Sequence, residues 1–460
     1  MIRKISLICL SALLFLCESA FADTLCVGAG KEFSRITDAV CACEDGDEIL
    51  IFGGIYDEIS EDFPIEIEKR VWIHAANDER VIIKPPITFT AIKLKGAGSC
   101  IEDIDIVFNR AAGMHVLADD IVVSNCHFAL GDIRCLETSC GMWIGGAKNV
   151  TVRDTEFENS SIALAGPPAT DESQKLVPSL TRLFEVGEDS AYFTTHTFEN
   201  VLINGKPVDY IVGLKDQEYT SSGGQLIAAD CENVTFKNIH TDHNSIGIQL
   251  AYCNDCNIID STDIDSGIFG IYLAKCNDCH IENVYTENGG HGIDVRAGNR
   301  CIVENCHTKE CGQSIFLTWS QDCVIKNCLI ENNMAGFFAA TGKNNLVDNC
   351  IFKENEIGIR LQYEPLTVTN SEILTSSTCG LRSLGSSLEI MGNLFSDNLV
   401  GAIILESPGF VFASNTFIGS QLNDLYFKNC TDTEYTDNLF LSELDESILI
   451  IPLETWNKEQ

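Results

Sequence analysis

Residues 292–335 read GIDVRAGNRCIVENCHTKECGQ and then SIFLTWSQDCVIKNCLIENNMA, two successive units of 22 residues with the same order of residue types. Each unit opens on a small residue, runs through a strand of G-I-x-L type, passes a short polar turn, continues as an x-I-x-x-N strand and closes in a second polar turn. Apolar residues two apart share one face of a strand, while Asn and Gly supply backbone that tolerates left-handed turns. The same phase begins at Gly247, Gly270, Gly292, Ser314, Gly336, Gly358, Gly380 and Gly401, at intervals of 23, 22, 22, 22, 22, 22 and 21 residues. It extends back to Gly224 and, beyond an interruption, to Ala91, Gly113 and Gly141. A fixed period of this length marks a solenoid, and short strands within it predict an all-β coil of about a dozen turns. A leucine-rich repeat would need L-x-x-L-x-L-x-x-N, which these units do not contain.

Two sets of columns follow from the period. Asn283, Asn305, Asn327, Asn349, Asn370, Asn393 and Asn415 recur at 22, 22, 22, 21, 23 and 22 residues. Equivalent residues of a parallel solenoid lie about 4.8 Å apart, which predicts an asparagine ladder whose amides bond along the stack. Cysteines form the other columns: Cys231, Cys253 and Cys276; Cys256, Cys279, Cys301 and Cys323; and Cys306, Cys328 and Cys350. Three readings stand for them: small buried hydrophobes, disulfides between rungs or molecules, or zinc ligands. Cys253-x-x-Cys256 followed by Cys276-x-x-Cys279 fits a zinc spacing, but the repeat alone already produces it. Cys26, Cys41, Cys43 and Cys430, near the two ends, are expected to join neighbouring molecules.

Residues 33–43, FSRITDAVCAC, read as a short amphipathic helix that closes the open end of the core. The organisation read from the chain is a leader over 1–22, an N-terminal cap and first coils over 23–90, coils over 91–165, an insertion over 166–223, regular coils over 224–434 and a closing segment over 435–460. Within the insertion, Asn204-Gly205 between Val201-Leu202-Ile203 and Pro207-Val208 predicts a hairpin. The repeat resembles the parallel β-helix of pectin-lyase-like proteins, and that resemblance implies a right-handed, single-stranded coil with an N-terminal helical cap. The segments FENVLINGKPVDYIVG (198–213) and GGQLIAADCENVTFKN (223–238) resemble secreted β-helix surface proteins of methanogenic archaea, which are grouped with the copper-accessory NosD-like family. That resemblance implies a cell-envelope protein, of the kind that builds a methanogen sheath.

The chain of 460 residues carries 67 Asp and Glu against 30 Lys and Arg, a net charge of −37. Such acidity argues against nucleic acid as a partner. With 45% hydrophobic residues it is too apolar for an acidic disordered chain. Arg3 and Lys4, an apolar run from Ile5 to Leu16 and Ala20-Phe21-Ala22 read as a cleaved secretory leader, so the protein is expected outside the cell or in its envelope. No later stretch reaches about 18 uninterrupted apolar residues, and no membrane span is expected. Of the 22 cysteines, Cys9 and Cys17 lie in the leader, and the even remainder suits an oxidising compartment.

The position two after each coil start is expected to face solvent: Gln249, Tyr272, Asp294, Phe316, Phe338, Arg360 and Arg382. Tyr272, Phe316 and Phe338 offer faces for sugar rings, while Asp294, with His291, Arg296 and Arg360, offers acid–base groups. Gly290-His291-Gly292 resembles the G-H-G element of polygalacturonases, although no Asp-Asp pair precedes it and no R-I-K follows. No catalytic residue and no metal ligand is assigned from sequence. Calcium, through acidic residues such as Asp263 and Asp265, or zinc, through the cysteines, is the alternative to a chain without cofactor. The expected function is a self-assembling structural envelope protein, with itself as partner through disulfides. The alternatives are a β-helix that binds or acts on cell-surface polysaccharide, and a copper or zinc accessory protein.

Overall fold

The protein's structure, a computed structural model, describes residues 23–76, 79–131, 139–167, 186–221 and 223–451. The leader expected over 1–22 and the end of the closing segment lie outside the described residues. Coiling starts at once. Strands Thr24–Val27, Glu48–Ile51, Trp72–Ala75, Cys100–Glu102, Val122–Ser124, Thr151–Glu158 and Thr197–Ile203 pair in parallel, each with the next. Inward residues Ile49, Ile73, Ile101, Val123 and Val152 stack in register and are buried. The solenoid reaches about 18 turns of about 22 residues, more than the dozen expected, because strands from Thr24 onward already form coils.

The expected N-terminal helix is Ile36–Ala42, and it lays Ile36, Ala39 and Val40 on the core. Its first turn is capped from a distance. The Thr37 N–H donates to a Glu61 carboxylate oxygen at 3.1 Å, the Thr37 hydroxyl donates to the same oxygen at 2.7 Å, and the Ile36 N–H donates to the other. These bonds answer the orphan donors that every helix start leaves.

Thr197–Ile203 turns through Asn204 and Gly205, with φ of 50° and 75°, into the antiparallel strand Lys206–Val212. That strand opens a second stack. Its long sheet continues in parallel through Gln225–Ala229, Ile246–Ala251, Phe269–Ala274, His291–Arg296, Gln313–Thr318 and Ala335–Ala340 to Ile448–Ile451. Sheets of 11 and 10 strands form its other walls. Where a glycine opens the repeat it fills a tight position: a Cβ on Gly358 would sit 2.5 Å from the Gly380 carbonyl oxygen and 2.8 Å from Ile373 Cγ2.

The two stacks meet face to edge. Ile162–Ala165 is the last strand of a five-stranded sheet in the first stack, and among the described residues one edge of its backbone has no partner strand. Two glutamines of the second stack supply what a strand would. The Gln225 amide accepts from Ile162 N–H at 3.3 Å and donates to its carbonyl at 2.6 Å; Gln249 does the same for Leu164 at 3.2 and 2.7 Å. An open sheet edge is thus sealed by side-chain amides instead of being left to pair with another chain.

Candidate functional site

On the long sheet the register runs Gln249, Tyr272, Asp294, Phe316, Phe338, Arg360, Arg382, one residue per coil. Their side chains point away from the coil interior, as alternation predicts. Their exposure does not follow. Gln249, Tyr272, Asp294, Phe316 and Phe338 are all buried at 1% or less, Arg360 is half-buried, and only Arg382 is exposed. The open aromatic platform expected from Tyr272, Phe316 and Phe338 is therefore corrected. Gln249 is consumed at the junction, and Tyr272 packs in one apolar cluster with Leu164, Ala165 and Phe193 of other segments. Phe316 and Phe338 stack on each other at 4.7 Å, and the Arg360 guanidinium lies 5.5 Å from the Phe338 ring.

A compact polar centre sits in this buried row. His291 Nδ1 is 2.7 Å from Asp294 Oδ2, while Arg296 donates from Nε to Oδ1 at 2.9 Å and from Nη2 to Oδ2 at 3.0 Å. His291, Asp294 and Arg296 are 2%, 0% and 0% exposed. The local chain explains how all three share one side. The ladder passes over Gly292, pairing His291 with Gln313 and Ile293 with Ile315, so alternation restarts there and His291 joins Asp294 and Arg296. Aromatic rings wall the centre. The Arg296 guanidinium lies 5.0, 5.6 and 5.7 Å from the rings of Phe269, Tyr272 and Phe316, and the His291 ring packs against Phe316 at 4.6 Å. Burial pushes the Asp294 carboxyl up, but the Arg296 charge and the His291 hydrogen bond outweigh it and hold the group below its ordinary value. The sequence grouped these residues with Arg360, which instead lies beside Phe338.

The asparagine column divides in two. Asn283, Asn305, Asn327, Asn349 and Asn370 occupy left-handed turns, φ 51–57°. Asn327 accepts from the Asn349 amide at 2.7 Å, whereas Asn283 and Asn370 donate to Asp260 and Asp348. Asn393 and Asn415 belong one position further along, in the coil interior, at 2% and 1% exposure. There Asn393 N–H and Nδ2 donate to Asn415 Oδ1 at 3.0 and 3.1 Å, and Asn415 repeats the pattern on Asn438. Asn438 was not anticipated. The outer column continues instead through Gly392 and Asp437.

The cysteine columns point inward. Cys231, Cys253, Cys276, Cys256, Cys279, Cys301, Cys323, Cys306, Cys328 and Cys350 are all buried and carry free thiols. Many donate to the carbonyl two residues back, as Cys306 and Cys328 do at 3.2 Å. Burial pushes the isolated thiols of Cys126, Cys140 and Cys311 up to about 12. Of the proposed linkers, Cys41 is exposed, Cys26 and Cys430 are half-buried, and Cys43 is buried with its thiol on the Val40 carbonyl at 3.0 Å. Cys43 is therefore withdrawn as a surface linker, since the end helix covers it.

A family model described as a right-handed β-helix region matches residues 246–387. The fold is a right-handed parallel β-helix. A second model, described as the periplasmic copper-binding protein NosD, matches residues 340–458. Among solved structures the chain is similar to the periplasmic alginate epimerase AlgG, at 12% identity over 88% of this chain and 85% of that one, TM-score 0.34. It is also similar to the A-module of the Azotobacter vinelandii mannuronan C-5 epimerase AlgE4, at 14% identity over 91% and 92%, TM-score 0.35, and to an alginate lyase from Paenibacillus sp. str. FPU-7, at 10% identity over 81% and 94%, TM-score 0.31. No curated protein matches the sequence of this β-helix. Among the described residues no group of three or more His, Cys, Asp or Glu is arranged to hold a metal ion. Asp263, named above for calcium, is buried and accepts from Thr241 and Ser266 hydroxyls, each at 2.7 Å. Among the described residues no helix is long and apolar enough to cross a membrane.

Proposed function

We propose that the protein is an exported, carbohydrate-active β-helix whose reactive centre is His291, Asp294 and Arg296. One observation carries this reading: a carboxylate, a guanidinium and an imidazole are buried together on the outer side of a sheet whose coil needs no charge there. Removing ions from water costs several kcal/mol each, so apolar residues would serve stability at least as well. Buried ionisable groups in hydrogen-bond contact, with the carboxyl held below its ordinary value by its neighbours, make a candidate acid–base centre. With Nδ1–H donated to Asp294, His291 keeps the lone pair of Nε2 for a substrate proton, and among the described residues that nitrogen makes no hydrogen bond. Arg296 keeps Asp294 ionised and adds positive charge beside the base, where a sugar hydroxylate or carboxylate would develop charge.

The test is product analysis after incubating the protein with neutral and uronate polysaccharides. Turnover of one class is expected, reduced at least a hundredfold by His291→Gln and Asp294→Asn in variants that keep the wild-type circular dichroism spectrum. No turnover on any polymer, or equal turnover by the variants, would overturn the assignment.

Self-assembly into an envelope layer, as in a methanogen sheath, is a second reading with its own support. The last coils expose Leu422, Leu439, Leu441 and Ile450, and Cys41 is exposed near the other end. Electrophoresis of native envelopes with and without thiol reductant tests it. A polymer that falls to monomers only on reduction supports it, and a monomer in both lanes refutes it.

A further inference from the structure

The turn that follows each strand of the long sheet builds a second surface, beside the buried centre but separate from it. Tyr252, Lys275, Ala297 and Trp319 hold equivalent left-handed positions on four successive coils, φ 50–55°. Two residues further on, Asn254, Asn277, Asn299 and Gln321 form an outward row joined coil to coil by single bridges. Between these rows lies a groove of about 410 Å³, which Ser190 also lines. That volume lies within the range of sites for small ligands.

The hydrogen bonding of the outward row changes inside the groove. At the first step of the row the amide is spent on the preceding coil, Asn277 donating to Asn254 at 2.9 Å, as amides of other columns also do, Asn344 to Asp322 at 3.1 Å and Asn349 to Asn327 at 2.7 Å. Asn299 breaks the series. Its Oδ1 is shielded from water and has no partner, and among the described residues neither the Asn299 amide, the Gln321 amide nor the Trp319 indole N–H makes a hydrogen bond. The Asn299 amide nitrogen, the Gln321 amide and the Trp319 indole are thus left without a partner on neighbouring coils, although the Asn299 oxygen itself is turned away from water. An amide offers a donor and an acceptor side by side, which matches vicinal hydroxyls, and an aromatic ring presents an apolar body with a polar edge.

Charge narrows the ligand. Among the described residues the one cation lining the groove, Lys275, is held by Glu188 and by the Gly187 carbonyl, while Asp230 also lines it and the whole chain carries −37. An anionic polymer would meet net repulsion. We propose that this groove binds a neutral oligosaccharide, with a pyranose ring stacked on Trp319 and its hydroxyls paired with Asn299 and Gln321. The groove runs along the solenoid axis: from Tyr252 to Trp319 is three coils, about 14 Å, so the sugar chain lies parallel to the stack.

The experiment is titration of the full exported chain with cellohexaose, mannohexaose, xylohexaose and maltohexaose, followed by calorimetry and tryptophan fluorescence, with hexamannuronate as the anionic control. At least one neutral hexasaccharide is expected to bind and perturb the fluorescence. Trp319→Asn, which keeps a residue that accepts the left-handed turn, should weaken that binding at least tenfold, and Gln321→Ala, on an exposed side chain, at least threefold. His291→Gln should bind as wild type, which separates this groove from the reactive centre. Failure of all four neutral probes, wild-type affinity in both groove variants, or preference for hexamannuronate would each overturn the proposal. Loss of turnover in His291→Gln with binding intact bears on the centre alone.

Discussion

Asn415→Ala and Asn327→Gly should differ sharply, although both asparagines belong to what the sequence presents as one column. Asn415 receives the Asn393 N–H at 3.0 Å and the Asn393 amide at 3.1 Å, and gives its own amide protons to the Ile390 carbonyl at 2.8 Å and to Asn438 Oδ1 at 2.9 Å. Alanine deletes all four. Asn438 keeps a bond from the Asn415 backbone N–H, and the Asn393 amide keeps the Val368 carbonyl. The Asn393 N–H is left without its partner at a residue only 2% exposed. One orphaned buried donor costs about 1–3 kcal/mol, and the other lost bonds about 1 kcal/mol each. The expected loss is therefore about 4–6 kcal/mol. At Asn327 the side chain is exposed, its bonds to Glu304 and Asn349 are replaced by water, and glycine keeps the φ of 57° without strain; the expected change is below about 0.5 kcal/mol. Urea denaturation measures both, with hydrogen exchange of coils 388–440 to show where the loss falls, since a solenoid responds through its nearest neighbours. A difference under 1 kcal/mol between the two variants would refute the division into a buried and an exposed ladder.

Glu364 gives a pH signature. It is fully buried, and burial raises its pKa to about 7 against the pull of hydrogen bonds from Asn345 and the Gly342 N–H. The native state then holds a proton that the unfolded chain releases near 4.5, so stability falls as pH rises from about 4.5 to 7, by about 3 kcal/mol in all. Glu364→Gln should flatten that slope, and an unchanged slope would assign it elsewhere. Brief iodoacetamide treatment of the folded protein should label Cys41 well ahead of Cys306, Cys328 and Cys350, with mass spectrometry as readout; equal labelling would mean that the columns are open. Gly358→Ala should destabilise by at least about 2 kcal/mol, because the new methyl group meets a backbone carbonyl that cannot move without displacing the next coil; a neutral substitution would show that the coils are looser than drawn.

The sequence made the coil legible because each turn needs a small residue, usually glycine, an inward aliphatic pair and a residue that accepts a left-handed bend, and these leave a period of 22 residues. It made the inward cysteine columns legible for the same reason. Periodicity could not distinguish two adjacent columns that both use asparagine. Cys350 gives way to Ser371 and then to Asn393 in the interior, while Asn370 gives way to Gly392 outside, so the amide changes columns without leaving the repeat. The one trace was the step of 23 from Asn370 to Asn393, beside an interval of 21 from Gly380 to Gly401. The outer face was misread for a different reason. Alternation states which way a side chain points, not what another segment lays against it, and the strand that takes Gln249 lies about 85 residues earlier. Yet the same burial is what the proposed chemistry of the outer row rests on. A His–Asp–Arg group open to water would be a weak, screened surface cluster, whereas the aromatic walls and low exposure seen here set the imidazole, fix its tautomer through Asp294 and concentrate the Arg296 charge beside it. The surface left for recognition is then the turn edge, where the amide ladder stops at Asn299 and an indole stands free.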